Sequence, residues 1–308
     1  MVIAFALAAA ALFGSADFLG GVASRRAKAA SVLVISAPAG VLVIFGAAML
    51  SGAPFQTAGL GWALAAGAAG GAGLIIFYGA LAAGPMSVVA PVSALVSTVV
   101  PVGAALAMGE RASAAVYAGA ALCLVAIVLV SREGMPPGGP GGSGGSGGPG
   151  GPVRSAGPVR SAGTTPRHHV AARGLGYGAA SGLAFGIFFL FIRNAGTSGV
   201  LWPVCMARVA GSLIILGAAV WLGTKPAGPG AGRWVLPAAV AAGVLDASAN
   251  VCYVLAARAG LFGMAVVITS LYPGITVLLA RVVLGERMRT VQRVGLALAA
   301  AGVATVTF

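Results

Sequence analysis

The sequence predicts an all-α integral membrane protein with ten transmembrane helices, arranged as two inverted five-helix repeats. Three observations support this: an apolar composition, apolar runs of membrane-spanning length, and an internal duplication. Of the 308 residues, 59% are hydrophobic and 7% are charged, and the mean hydropathy is +1.03. Soluble domains carry about 25% charged residues. The composition therefore places the chain among membrane proteins.

The apolar runs set the number of predicted helices. Each is about 20 residues long, the length that crosses a hydrocarbon core of about 30 Å. Runs rich in Ala, Leu and Gly favour helices over barrel strands, in which apolar and polar residues alternate. The first run leads into Arg25 and Arg26 without a small-residue cleavage site, so we expect it to be retained. The predicted spans are 2–23, 31–50, 59–82, 86–108, 112–131, 174–193, 201–222, 234–257, 262–284 and 291–308.

A repeated tripeptide reveals the duplication. Gly109-Glu110-Arg111 recurs 176 residues later as Gly285-Glu286-Arg287, each time between two apolar runs. We interpret Gly109, Glu110, Gly285 and Glu286 as structural markers of the repeat. The halves 1–131 and 173–308 hold five spans each, and an odd number makes the second half enter the membrane from the opposite side. The halves are therefore predicted to be related by a pseudo-two-fold axis in the membrane plane.

The segment between the halves, 132–172, is rich in Gly, Pro and Ser. It cannot bury enough apolar area to offset its ordering entropy, so we predict a disordered linker. The linker contains the two histidines, His168 and His169, too few ligands for a zinc site. Cys123, Cys205 and Cys252 fall inside spans, where free cysteine packs as a small hydrophobe. We therefore expect neither a metal nor a cofactor.

Enzymatic and nucleic-acid functions find no support in the sequence. It lacks the His-Glu-x-x-His motif of proteases and the Walker A motif of ATPases. It also has no Gly-x-Ser-x-Gly elbow of hydrolases, because that pattern occurs only within the Gly- and Ser-rich segment between the halves. The net charge of +13 comes from Lys and Arg near span ends, and no basic helix face is interleaved with aromatic residues. We predict a protein that is not an enzyme and does not bind nucleic acid.

The basic residues also indicate orientation. Most of them follow odd-numbered spans, whereas the even-numbered loops hold Arg111, Arg193 and Arg258. Positive residues favour the cytoplasmic side, which places both termini outside. Reporter fusions after Ser131 and after Lys225 should therefore report the cytoplasm, and a fusion after Phe308 should report the exterior. A cytoplasmic Phe308 would reverse the orientation and leave the fold unchanged.

Polar residues at membrane depth are the candidate functional groups, because charges there are costly and usually face a bundle interior or a watery cavity. Asp17, Arg208 and Asp246 lie well inside their spans. Asn250 and Tyr253 follow Asp246 at i+4 and i+7, so the three share one helix face. The alternative is a static buried ion pair between Arg208 and one of the carboxylates.

The fourth and ninth spans contain a second group of candidates. Their prolines free backbone carbonyls, and paired interruptions in corresponding helices are typical of transporter binding sites. The alternative is a packing kink, with Ser and Thr bonding back to their own helix. The glycines of the third span favour close helix contact over phosphate binding. The candidates are Ser93, Ser97, Thr269, Ser270, Tyr272 and Pro273.

The residues that follow the ninth-span candidates carry a family resemblance. Ser270-Leu271-Tyr272-Pro273, then Leu284-Gly285-Glu286-Arg287 and Gly295, with a degenerate first copy ending in Gly109-Glu110-Arg111 and Gly119, resemble the EamA domain of the drug/metabolite transporter superfamily. The resemblance implies ten helices in two inverted repeats, no cofactor, and transport of small metabolites, amino acids or drugs by alternating access. The first half departs from the pattern, with Val96-Ser97 in place of Tyr-Pro.

The expected function is secondary transport, as an exporter of small molecules across the cytoplasmic membrane. Protons are the candidate coupling ion: Arg208 would hold one carboxylate charged while the other, for which we favour Asp246, exchanges protons. The partners would be a small-molecule substrate and membrane lipids, and the protein would be a monomer or a homodimer. The alternative function is a non-transporting scaffold or a lipid-interacting subunit, which has little reason to keep charges at depth.

Overall fold

The computed structural model describes residues 1–24, 26–83, 86–111, 113–131, 167–195, 199–225, 232–285 and 290–307. All regular structure in these ranges is helical. The helices are α1 (Val2–Ser24), α2 (Ala29–Leu50), α3 (Leu60–Ala83), α4 (Met86–Ala107), α5 (Ala114–Ser131), α6 (Arg167–Ala195), α7 (Leu201–Trp221), α8 (Val235–Ala259), α9 (Phe262–Thr269), α10 (Tyr272–Leu284) and α11 (Thr290–Thr307).

Each predicted span coincides with helix, and the structure differs from the prediction in two places. The ninth span is two helices, α9 and α10, separated at Ser270 and Leu271. Helix α6 begins at Arg167, inside the predicted linker 132–172, because Arg and Ala after Pro166 are good helix formers. The rest of that linker, 132–166, lies outside the described residues. By length and hydropathy, seven described segments can cross a membrane, with Phe262–Leu284 counted as one.

The two halves of the chain pack mainly against each other. Helix α3 lies against α6 and α7 of the second half, and α8 lies against α1 and α2 of the first half. If the two halves are interchanged, the packing of α4 on α6 corresponds to the packing of α9 and α10 on α1. Helix α5 packs on α11, its counterpart in the other half. Every helix of one half therefore finds its main neighbours in the other half, and groups from both halves meet in the middle.

Glycines allow two of these crossings to be close. In α3, a Cβ on Gly67 would collide with the backbone carbonyl of Ala207 in α7, and the facing residue of α7 is Gly211. In α8, a Cβ on Gly243 would collide with the carbonyl of Ser36 in α2. Small residues let helix backbones approach where lipid supplies no hydrophobic force between helices. The predicted packing role of the third-span glycines is thus confirmed.

The marker glycines end helices. Gly109 follows α4 with φ of +84°, and Gly285 follows α10 with φ of +68°. Glycine adopts this left-handed conformation without the steric cost of a Cβ, and it commonly ends a helix. The repeated glycine therefore ends a helix in each half, and Glu286 lies outside the described residues.

The even-numbered loops of the sequence gather at one end of the bundle, which we call the even-loop end; the opposite end is the odd-loop end. Contacts between helix termini define the even-loop end. They are Val2 with Gly260, Gly59 with Ala195, Ala53 with Trp202, Met108 with Arg193, and Glu110 with Phe262. Helices α1, α3 and α9 therefore start at this end, and α4, α6 and α8 finish there.

Candidate functional site

An ion pair within the bundle is the centre of the candidate site. Arg208, one third of the way along α7, donates from Nη2 to Oδ2 of Asp246, near the middle of α8. The side chains are 20% and 38% exposed, respectively. Intramembrane charges usually face the bundle interior or a watery cavity, and the partial exposure of this pair is consistent with such a position. The structure thus brings together two of the three predicted deep charges.

The face of α8 that carries Asp246 becomes more buried toward the even-loop end. Asn250 is 4% exposed and donates from Nδ2 to the Asp246 carbonyl at 2.7 Å. Tyr253 is fully buried and donates its hydroxyl to the Phe189 carbonyl of α6 at 3.2 Å. Of the three predicted partners on this face, Asp246 is thus the accessible one, and the Tyr253 hydroxyl fixes α8 to α6.

Asp17 lies on a stripe of α1 that changes from buried to exposed. Ala6 and Ala10 on this stripe are buried, whereas Asp17 and Gly21, farther along it, are exposed. The same side of α1 faces α10, because the Phe13 ring lies 6.1 Å from the Tyr272 ring. We interpret the exposure of Asp17 as a cleft between helices that opens toward the odd-loop end. The burial of Ala6 and Ala10 is consistent with closure toward the even-loop end.

Among the described residues, no cation pairs with Asp17. Arg208 is engaged by Asp246 instead. The sequence-based preference made Asp246 the proton-exchanging carboxylate and left Arg208 to hold the other one charged. The observed pairing of Arg208 with Asp246 favours the opposite assignment of these two roles.

The break between α9 and α10 contributes polar groups. Thr269 and Ser270 are buried at the end of α9, and the Thr269 hydroxyl has no partner among the described residues. Pro273 lies in the first turn of α10, where the missing N–H costs nothing, and it faces α5 and α11. Tyr272 packs on Phe13 of α1. Thr269, Ser270 and Tyr272 therefore lie where the ninth span is interrupted, while Pro273 faces away from α8.

Helix α4 is continuous from Met86 to Ala107, so the predicted pair of interruptions is wrong for the fourth span. The hydroxyl of Ser97 donates to the Ala94 carbonyl at 3.0 Å, the back-bonding that we weighed as the alternative. Ser93 is buried and its hydroxyl is 2.9 Å from that of Ser181 in α6. Ser93 and Ser97 thus serve helix packing here, since the hydroxyl of each is satisfied within the protein.

Three buried polar atoms find no hydrogen-bond partner in the described part of the chain: Arg208 Nε, Asn250 Oδ1 and Thr269 Oγ1. Buried polar atoms are normally satisfied, so such atoms call for an explanation such as a bound water, ion or ligand. They lie on α7, α8 and α9 of the second half. Together they offer one charged donor, one acceptor and one hydroxyl that can do either.

Enclosed cavities elsewhere in the described structure are too small for a metabolite. One of about 40 Å³ lies between α4, α5 and α9, and one of about 10 Å³ between α5, α10 and α11. Ligand pockets measure about 300–1,000 Å³. No three His, Cys, Asp or Glu residues gather at a metal-binding distance among the described residues. The open cleft remains the candidate site.

Sequence reasoning missed two residues at the even-loop end. Glu110, interpreted as a repeat marker, accepts hydrogen bonds from the N–H groups of Phe262 and Gly263 at the start of α9. Arg193, which the sequence analysis counted only among the basic residues of the even-numbered loops, places its guanidinium 4.5 Å from the centre of the Phe262 ring. The repetition of Glu110 gave a signal of importance, but its partner is 152 residues away along the chain.

A family comparison decides the identity of the second half. Residues 172–308 match the model of the EamA-like transporter family. This part of the chain is similar to that family. The predicted resemblance is thus confirmed for residues 172–308, and the family is described as one of transporters.

A solved structure extends the fold comparison to both halves. A crystal structure of a protein aligns over 99% of this chain and 96% of its own length, with a TM-score of 0.72 and 16% sequence identity. At this identity the similarity supports the fold of the chain and nothing about its function. No curated protein matches the sequence.

Proposed function

We propose that this EamA-like protein is a secondary transporter that exports a small polar or amphipathic metabolite across the cytoplasmic membrane by alternating access. The observation that carries the proposal is the partly exposed Arg208–Asp246 ion pair inside the spans of α7 and α8. Charges inside a membrane are costly and characteristically mark a substrate or ion path.

The arrangement of the halves supports alternating access. Helices α1 and α8 run antiparallel, since Val2 lies by Gly260, while α8 and α6 run in the same direction, since Tyr253 and Phe189 meet near the ends of both. The first helix of each half therefore points the opposite way, as in inverted repeats. The Gly67 crossing of α3 and α7 and the Gly243 crossing of α8 and α2 are equivalent under the same exchange. We take these halves to form ten crossings, with 262–284 as one.

The unpartnered atoms around the pair favour a substrate that carries both an anionic and a cationic group. Arg208 Nε can donate to an anion, and Asn250 Oδ1 can accept from an ammonium group. The partly exposed Asp246 carboxylate would reinforce the second contact. On binding, the anionic group of the substrate would pair with Arg208 and its cationic group with Asp246, in place of the ion pair between them. The net charge of the site would then stay the same, which limits the cost of binding.

The direction of transport rests on the open end of the cleft. The odd-loop end is the end that the excess of Lys and Arg places in the cytoplasm. A cleft that is open there can be loaded from the cytoplasm, as an exporter requires. Of the alternatives, a scaffold or lipid-interacting subunit would also contact membrane lipids, but no contact among the described residues favours it.

Counterflow in proteoliposomes tests the transport function. Vesicles loaded with an unlabelled amino acid, sugar or drug should accumulate the same labelled compound when it is a substrate, and a zwitterionic amino acid should exchange faster than its amide or its N-acetyl derivative. Empty vesicles and vesicles with heat-inactivated protein are the controls. If folded protein exchanges no member of the panel, the scaffold alternative becomes the better description.

Asp17 is the carboxylate that we propose for proton coupling, because it is exposed in the cleft and has no cationic partner among the described residues. Replacing Asp17 with Asn is expected to leave substrate exchange measurable but to remove its dependence on pH between about 5 and 8, because the amide resembles the protonated acid and cannot titrate. The measurement is the initial rate of counterflow across that pH range.

Asp246→Asn is the matched variant for this test. It should reduce exchange at every pH, because it leaves the Arg208 guanidinium without its counter-ion. An unchanged pH profile in Asp17→Asn would contradict the assignment and favour transport driven by the substrate's own gradient.

A further inference from the structure

Glu110 joins the end of the first repeat to the start of a helix in the second. Gly109, in the left-handed conformation, ends α4 and turns the chain toward α9. The Phe262 N–H donates to Glu110 Oε2 at 3.1 Å, and the Gly263 N–H donates to Oε1 at 3.0 Å. Both carboxylate oxygens therefore bind free backbone donors at the positive end of α9, where a negative charge is most favourable.

Arg193 contacts the same helix start through the Phe262 side chain. Its guanidinium lies over the Phe262 ring, 4.5 Å from the ring centre, and Nη1 donates to Met108 Sδ at 3.5 Å. Phe262 itself is buried. Two helix ends thus fix the start of α9. Glu110, after α4, binds the backbone N–H groups of Phe262 and Gly263, and Arg193, in α6, contacts the Phe262 side chain.

This junction lies where the cleft is closed. Toward the even-loop end, Ala6 and Ala10 of α1 and Tyr253 of α8 are all buried. Helix α9 has eight residues and is separated from α10 by the break at Ser270 and Leu271. A short helix that ends at a break can move without its neighbour α10, so the contacts at its start decide whether it stays in place.

We propose that Glu110 is a positioning residue of the transport cycle, the latch that keeps α9 closed across the even-loop end of the path. The inference rests on the proposed transport function and adds the element that controls access at one end. Opening that end requires the carboxylate to release the Phe262 and Gly263 N–H groups. Closing it requires the two hydrogen bonds to form again. The state seen here is the latched one.

Two cysteine reporters on one stripe of α1 can test the latch. Gly21 is exposed and no atom lies within 4 Å of the position that a Cβ would take there, so Gly21→Cys reports the odd-loop end. Ala10 is buried toward the even-loop end, so Ala10→Cys reports the closed end. Each is introduced after the native Cys123, Cys205 and Cys252 have been replaced with Ala, and labelling by a membrane-impermeant maleimide is timed on the full-length protein in vesicles of each orientation.

Glu110→Ala is expected to make Ala10→Cys react at least about tenfold faster and Gly21→Cys react more slowly, because losing a charge-assisted hydrogen bond shifts a two-state equilibrium by roughly that factor. Glu110→Gln, which keeps one acceptor oxygen, should give a smaller shift in the same direction. Arg111→Ala is the matched control, since Arg111 is the exposed neighbour, and should leave both rates unchanged. If Glu110 had a purely structural role, its replacement would lower thermal stability but would not raise the labelling rate of Ala10→Cys while lowering that of Gly21→Cys.

Labelling needs no substrate, so the latch and the transport function can fail separately. If Glu110→Ala makes Ala10→Cys react faster and Gly21→Cys react more slowly in a protein that transports nothing, the latch is supported and the proposed function is overturned. Unchanged labelling of both reporters in folded Glu110→Ala would overturn the latch even where transport is demonstrated. If Glu110→Ala does not fold, Glu110→Gln decides in the same way.

Discussion

Replacing Arg208 with alanine is expected to reduce substrate exchange by about 100-fold, which corresponds to about 3 kcal/mol, the lower end of the cost of removing one partner from a buried ion pair. We take the lower end because the two side chains are 20% and 38% exposed. The change leaves the Asp246 carboxylate without its counter-ion at mid-depth. The loss of transport is measured as the counterflow rate, and the effect of the unpaired carboxylate on the fold is measured as thermal stability in detergent, both on the same preparation.

A double variant separates a functional pair from a static one. Arg208→Met with Asp246→Leu removes both charges and keeps side-chain volume, a change that is often neutral or stabilising. We expect thermal stability to return to that of the unaltered protein while exchange stays lost. Recovery of exchange in the double variant would mean that the pair serves packing alone.

Gly67→Ala is expected to destabilise the fold by about 3 kcal/mol or more, because overpacking at a tight contact costs about 1–3 kcal/mol and the colliding atom here is backbone. The new methyl group would meet the carbonyl of Ala207, so α3 and α7 must separate to admit it. Gly243→Ala should act similarly, since its methyl group would meet the Ser36 carbonyl. The measurement is the thermal unfolding midpoint in detergent.

Gly61→Ala is the matched control for that experiment, in the same helix. No atom lies within 4 Å of a Cβ at Gly61, and the residue is helical. Alanine there should stabilise the protein by about 0.5–1 kcal/mol through helix propensity. Similar unfolding midpoints for Gly61→Ala and Gly67→Ala would contradict the close crossing.

The prediction of the spans from sequence was accurate because a membrane imposes a one-dimensional rule. A segment must be apolar for about 20 residues and must satisfy its own backbone, so hydropathy and length reveal it. The rule fails at the ninth span, whose 23 apolar residues read as one helix but form two. The prolines of the fourth span do not interrupt α4, because a membrane helix tolerates proline where neighbouring groups satisfy the freed backbone carbonyl.

The sequence identified the residues of the candidate site but not which of them contact one another. Asp17, Arg208 and Asp246 stand out in sequence because charges are rare at depth, but hydropathy does not specify which carboxylate meets the guanidinium. That depends on how α7 and α8 are rotated and how far they are displaced along their axes. The same limit concealed the partners of Glu110 and Arg193, which lie on other helices.

The sequence by itself determined the membrane class, the helical segments, the repeated Gly-Glu-Arg tripeptide and the set of deep charges. Each of these follows from local apolarity or from residues compared at a fixed offset. The tertiary structure alone decided the Arg208–Asp246 pairing, the exposure of Asp17, the break before Tyr272 and the contact of Glu110 with α9. These depend on contacts between residues far apart in the chain, and such contacts arise only once the glycine crossings have set the helices side by side.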